Sequence, residues 1–244
     1  MPTFESMQKG YKALWDNCTV TRKSAADTVA SKIIANKDKY KKVEQYTNVP
    51  WYMVGVLHNR ESGMDFARHL HNGDPLTEKT VRVPEGRPPG RPPFTWEDSA
   101  IDALTMEGHK LHEITDWTIE RVLYECEKYN GWGYTRHEIN SPYLWAGTDR
   151  YISGKYIADG EFSATAVDKQ LGVVCVLKSI FAKTGEEIKG SSVPSSNTVK
   201  ATGAGGVVAA SSLGAYEFSD YAIYIIIAGL ILAGLAWWAI PKKG

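Results

Sequence analysis

The chain has 244 residues with 28 basic and 28 acidic side chains, a formal net charge of zero, and this balance excludes a general electrostatic grip on nucleic acid. Three cysteines, Cys18, Cys126 and Cys175, form no C-x-x-C pair, which excludes a disulfide framework or a cysteine metal knuckle; the last two lie in apolar runs and read as buried free thiols. The length suits one well-buried domain with an appendage.

In chain order, "MPTFESMQKGYKALWDNC" shows no basic stretch leading into an apolar core, so no secretory signal peptide is expected. "RKSAADTVASKIIANKDKYKKV" has the spacing of an amphipathic helix with a basic end. "NVPWYMVGVLHNRESG" predicts a short helix with Pro50 near its first position and Gly63 just past its end. On it Val54, Leu57, His58 and Glu61 share one face, which places Glu61 on the core-facing edge of the last turn, close to the negative end of the helix dipole. Burial and dipole both disfavour a carboxylate, so a raised pKa and a proton donor near neutral pH are expected. The alternative reading is a helix-terminal glutamate paired with Arg60 or Arg68.

The polar stretch that follows, "SGMDFARHLHNGDPL", predicts a small β or loop subdomain, with Gly73 and Pro75 fixing a turn around Asp74. Two carboxyl groups across a cleft are the usual equipment for cleaving a glycosidic bond, and Asp74 is the candidate second one. His69 and His71 lack a third histidine nearby, and His-x-His would point the rings to opposite sides of a strand, so no metal and no cofactor are expected. "VRVPEGRPPGRPPF" reads as an extended, polyproline-like loop. "TWEDSAIDALTME" starts a helix with a Thr95–Asp98 capping box. "DWTIERVLYECEKYN" predicts another, capped by Asp116, with Ile119, Val122, Leu123 and Cys126 inward and Glu120, Arg121, Glu125 and Lys128 solvated.

Residues 129–162 concentrate Tyr, Trp, Asn and Gly, which suits either a saccharide groove or an aromatic-rich loop packed on the bundle. "SATAVDKQLGVVCVLKSIFAK" is read as a helix capped by Ser163 and buried all round between Leu171 and Leu177. The chain thus divides into a domain over 1–184, a Gly/Ser/Ala-rich linker over 185–216 and a tail over 217–244. In the tail, residues 221–240 form an uncharged run of 20, about 30 Å as a helix, and are expected to cross a membrane. Cytoplasmic Lys242 and Lys243 would place the domain across the membrane, but no signal peptide is seen to export it, so the side it occupies stays open.

Some of these strings are familiar. Glu61-Ser62-Gly63 closing a helix, a polar subdomain after it, and a later helix running into Tyr129-Asn130-Gly131 together resemble the lysozyme-like superfamily. "NRESGMDFARHLHNGDPL", "TWEDSAIDAL", "YNGWGY" and "SPYLWAGTDRYISGKYIADG" are more closely similar to phage and prophage endolysins, over roughly residues 45–180. The resemblance implies a mainly α, lysozyme-like domain with a small β/loop subdomain and, with the tail, a C-terminal transmembrane helix. It implies Glu61 as general acid on peptidoglycan glycan strands, as the Glu before Ser is in goose-type lysozymes and lytic transglycosylases. Ser62, His71, Asn72, Tyr129, Asn130, Tyr143, Trp145 and Tyr151 become candidates for binding the sugar. The Gln- and Gly-rich motif that follows Glu-Ser in lytic transglycosylases is absent, which leaves Asp74 as a plausible base. The expectation is an N-acetylmuramidase anchored by residues 221–240 in the bacterial inner membrane and acting on the periplasmic wall. The alternatives are a lytic transglycosylase and a non-catalytic, membrane-anchored glycan-binding or holin-like protein.

Overall fold

A computed structural model describes residues 1–158, 160–186 and 188, and the domain they form is mainly helical. Helix α1 (Phe4–Asn17) starts at Thr3, whose side chain accepts the Ser6 N–H. The amphipathic run after it is two helices, α2 (Lys23–Ala35) and α3 (Lys37–Thr47), because Asn36 breaks it. The Asn36 amide donates to Lys32 O and its N–H to Ile33 O, ending α2. The break lets Ala26, Ala30 and Ile33 face one way and Tyr40 and Val43 another, all of them buried.

Helix α4 (Trp51–Ser62) runs between Pro50 and Gly63 as the sequence indicates, and Gly63 adopts the left-handed conformation (φ 63°) that favours glycine at a helix end. Every residue from Trp51 to Asn59 is buried, so α4 is the central helix. α2 approaches it so closely that a Cβ on Gly55 would lie 2.4 Å from Ile33 Cγ2. Helix α5 (Trp96–Thr105) keeps its capping Thr95, which accepts the Asp98 N–H at 3.1 Å. Helix α6 (Ile119–Asn130) is capped by Thr118 rather than Asp116; Asp116 instead lies 3.7 Å from Arg121. Its inward face is as expected, but Glu125 is buried, held between Arg121 and Lys128.

After the four-residue α7 (Pro142–Trp145) come the only two strands among the described residues, β1 (Lys155–Ala158) and β2 (Glu161–Ser163), an antiparallel hairpin. Helix α8 (Val173–Thr184) starts ten residues later than Ser163, which instead pairs with Lys155 in the sheet. Gly172 caps α8, and a Cβ there would meet Leu144 O at 2.4 Å. Residues 164–171 are loop because 164 and 166 bond to the turn at Ser153–Gly154 and 168–171 to the end of α4. The subdomain expected after Glu61 is loop and turn with one isolated bridge, Arg68 to Pro75, since its prolines cannot donate to a ladder. Contacts continue past the expected domain end, where Glu186 accepts from Trp51 Nε1 at 2.9 Å and pairs with Lys37.

The expected membrane anchor is corrected. Among the described residues no helix is long and apolar enough to cross a membrane. α4 and α8, apolar nearly all round, have 12 residues each and reach about 18 Å, and their apolar surface is spent on the core. The span expected at 221–240 lies outside the described residues, so neither a transmembrane helix nor an inner-membrane location stands as part of the protein's description.

Candidate active site

Glu61 occupies the last turn of α4, half-buried, and accepts a hydrogen bond from the buried Tyr143 hydroxyl on Oε1 at 2.7 Å. Neither cation offered by the sequence pairs with it. Arg60 turns to Asp168 at 3.3 Å, and Arg68 to Asp65 at 3.0 Å. Burial pushes the Glu61 carboxyl up to about 6, against the opposing pull of the Tyr143 hydrogen bond and the Arg60 charge. Cys126 and Tyr129, both on α6, lie within the field of the Glu61 carboxylate, which helps burial to hold both well above their ordinary values. The Tyr129 ring stacks on His109 (centroids 4.1 Å apart) and its hydroxyl donates to Leu70 O at 3.0 Å, tying α6 to the loop after α4.

Segment 168–171 closes over the end of α4. Arg60 Nη1 donates to Leu171 O at 3.2 Å, and Gln170 Nε2 donates to Asn59 O and Arg60 O, both at 3.0 Å. The Gln170 bonds satisfy carbonyls that the helix end leaves without intrahelical donors. The Arg60 guanidinium also lies over the Tyr143 ring, Cζ 4.5 Å from its centroid. Asp168 and Gln170 were not singled out in the sequence, where Arg60 figured only as a partner for Glu61, and more than a hundred positions separate Arg60 from Asp168.

Asp74 is buried and fully engaged. Oδ1 accepts from Arg82 Nε at 2.7 Å and from Arg82 Nη2, and Oδ2 accepts the N–H groups of Val81 (3.0 Å) and Arg82 (3.2 Å). Burial alone would raise its pKa, but the Arg82 side chain and the two N–H groups outweigh it and hold Asp74 down to about 2. Asn72 accepts the Asp74 N–H and donates to Arg82 O, so it too staples the loop. The turn at Gly73 (φ 76°) packs on the end of α4, where a Cβ would lie 3.1 Å from Glu61 O.

The two histidines converge rather than diverge, because 69–73 is a turn and not a strand. Ser99 Oγ lies 2.8 Å from His69 Nδ1 and 3.4 Å from His71 Nδ1, and His71 Nε2 bonds to Asp102 at 2.8 Å. Asp102 also accepts from Arg87 Nε at 2.9 Å. This buried network fixes the loop to α5, and with Ser99 fully buried it offers no accessible nucleophile.

Of the candidate sugar-binding residues, Tyr143 and Tyr129 gather at Glu61, and Ser62 is its neighbour in the last turn, its hydroxyl turned back to His58 O at 3.4 Å. Asn130 is exposed at the end of α6. Trp145 is 1% exposed and belongs to the core, so its ring is no platform for a sugar. The Tyr151 hydroxyl donates to Gly154 O and accepts the Asp168 N–H, positioning the 168–171 segment. A cleft of about 510 Å3 lies at the opposite end of α4, between Asn48, Trp51 and Trp117, away from Glu61.

Compared with known proteins, the chain matches no family model, no curated sequence and no solved structure.

Proposed function

We propose that the chain is a peptidoglycan glycosidase of the phage-endolysin kind, an N-acetylmuramidase, with Glu61 as its general acid. The observation that carries the reading is a half-buried carboxyl with no ion-pair partner among the described residues, lifted to about 6 and held by a tyrosine hydroxyl. Such a group holds a proton in mildly acidic to neutral conditions and has the position to give it up. Tyr143 donates to Oε1, so the proton to be transferred sits on Oε2, and the same hydrogen bond strengthens as the carboxylate forms. Protonating the glycosidic oxygen lets the bond break with oxocarbenium character at the muramoyl carbon.

The second half of the reaction needs a base. A carboxylate held at about 2 by a guanidinium and two N–H groups is a weak one, so Asp74 is assigned to the loop and not to the chemistry. Glu61, ionised by the first step, then takes a proton from the attacking hydroxyl. If water attacks, the outcome is hydrolysis. If the sugar's own 6-hydroxyl attacks, the outcome is a 1,6-anhydro product, and the engagement of Asp74 is the observation that favours this second, lytic transglycosylase reading.

Digestion of purified peptidoglycan by the full chain tests both. Glu61→Gln should keep the fold and lose at least about 100-fold in lytic rate, and full activity in that variant would sink the assignment. Product masses then separate reducing-end fragments from anhydro ones. A wild-type chain that binds walls without cutting them would leave the non-catalytic reading standing.

A further inference from the structure

We propose that Asp168, Arg60 and Tyr143 form a chain of positioning residues that sets the protonation of Glu61 from the side of α4 closed by segment 168–171. Four contacts carry the proposal. Asp168 Oδ2 meets Arg60 Nη2 at 3.3 Å, and the Arg60 side chain is only 8% exposed. The guanidinium is anchored by Leu171 O and lies over Tyr143, its Cζ 4.5 Å from the ring centroid. The Tyr143 hydroxyl donates to Glu61 at 2.7 Å. Arg60 Nε is buried with no acceptor among the described residues, so one edge of the guanidinium is uncommitted.

The Arg60 charge favours the ionised form of Glu61, so a guanidinium freed to approach the carboxylate would keep it ionised. Asp168 removes that competition in two ways: it draws the guanidinium onto segment 168–171, and it offsets its charge. Lys155, 3.6 Å from the other Asp168 oxygen, and the Tyr151 hydroxyl, which accepts the Asp168 N–H, hold Asp168 in place. Among the described residues, the other titratable groups facing Glu61 are His58 on its own helix, which burial holds neutral, and Cys126 and Tyr129 from α6 and Tyr143 from α7, which burial keeps protonated and neutral. Arg60, with its counter-ion, is therefore the adjustable element.

The proposal rests on the reading of Glu61 as an acid for its rate consequences only; the electrostatic claim is read directly. In the full chain, carbon-13 NMR of labelled glutamate carboxyls follows the Glu61 midpoint, assigned by its loss in Glu61→Gln. Asp168→Asn should lower that midpoint by roughly one pH unit and Arg60→Gln should raise it, while Asp168→Glu should restore it. Lytic activity should follow on the alkaline limb: Asp168→Asn should be about eightfold slower than wild type at pH 6.5 yet within about twofold at pH 5. A merely structural role would not give opposite shifts for the two ends of one ion pair. If Arg60→Gln fails to fold, Tyr143→Phe supplies the required upward shift by removing the hydrogen bond that favours the carboxylate. Unchanged midpoints in folded variants, or shifts of one sign in both, overturn the proposal. Midpoints that move as stated in a chain that leaves peptidoglycan uncut would fail the glycosidase reading instead.

Discussion

Glu61 and Asp74 carry the same chemical group to opposite ends of its range, and the neighbours explain it. Glu61 has one hydroxyl donor and loses water; Asp74 has a guanidinium and two N–H groups in exchange for water. Asp74→Asn should therefore loosen the loop between 72 and 83 and cost about 2 kcal/mol in chemical denaturation. On the proposed reading, turnover on peptidoglycan should stay within about tenfold of wild type, where loss of a true base would remove about 100-fold or more. The position of Glu61 was legible because Pro50 and Gly63 fix the helix register. The fate of Asp74 was not, since Gly73 and Pro75 announce a turn but nothing local says that Arg82, eight positions on, will close back over it.

At the scale of elements, Gly55 shows how packing overrides propensity. Alanine is the better helix former by about 1 kcal/mol, yet Gly55→Ala would drive a methyl to 2.4 Å from Ile33 Cγ2 in a fully buried contact between α2 and α4. The expected result is a net loss of about 1–3 kcal/mol, read from the denaturant midpoint. The helices α4, α5 and α6 were readable because their apolar positions recur at helical spacing and glycine, proline or threonine marks their ends. The break at Asn36 and the late start of α8 were hidden, since helical periodicity runs through both places. What ends the pattern is a tertiary partner: segment 168–171 is drawn to the end of α4, and 161–163 to the hairpin. Glu125, placed on the solvated face by periodicity, is buried because cations three and four positions away accompany it inward.

Besides Asp74 and Glu125, the whole molecule carries a further buried carboxyl that the site does not use. Glu127, 4% exposed on α6, takes a 3.4 Å hydrogen bond from the Tyr11 hydroxyl of α1, and burial raises it to about 7 despite Tyr11 and Ser141. A raised carboxyl favours the folded state fully below its unfolded value and loses that favour as pH rises through the folded one. Glu127→Gln should thus gain up to about 3 kcal/mol over wild type at pH 8, with the difference vanishing near pH 4.5. Denaturation curves at the two pH values check it.

The clasp of segment 168–171 on the end of α4 also has a consequence in time. Chains fold from the N-terminus as they are made, and the helix bearing Glu61 emerges long before Tyr143, Asp168 and Gln170. Until those residues dock, the carboxyl is an ordinary one in water, with the lower pKa of an exposed glutamate. On the proposed reading of Glu61, its acid function therefore comes into being only once those residues have docked.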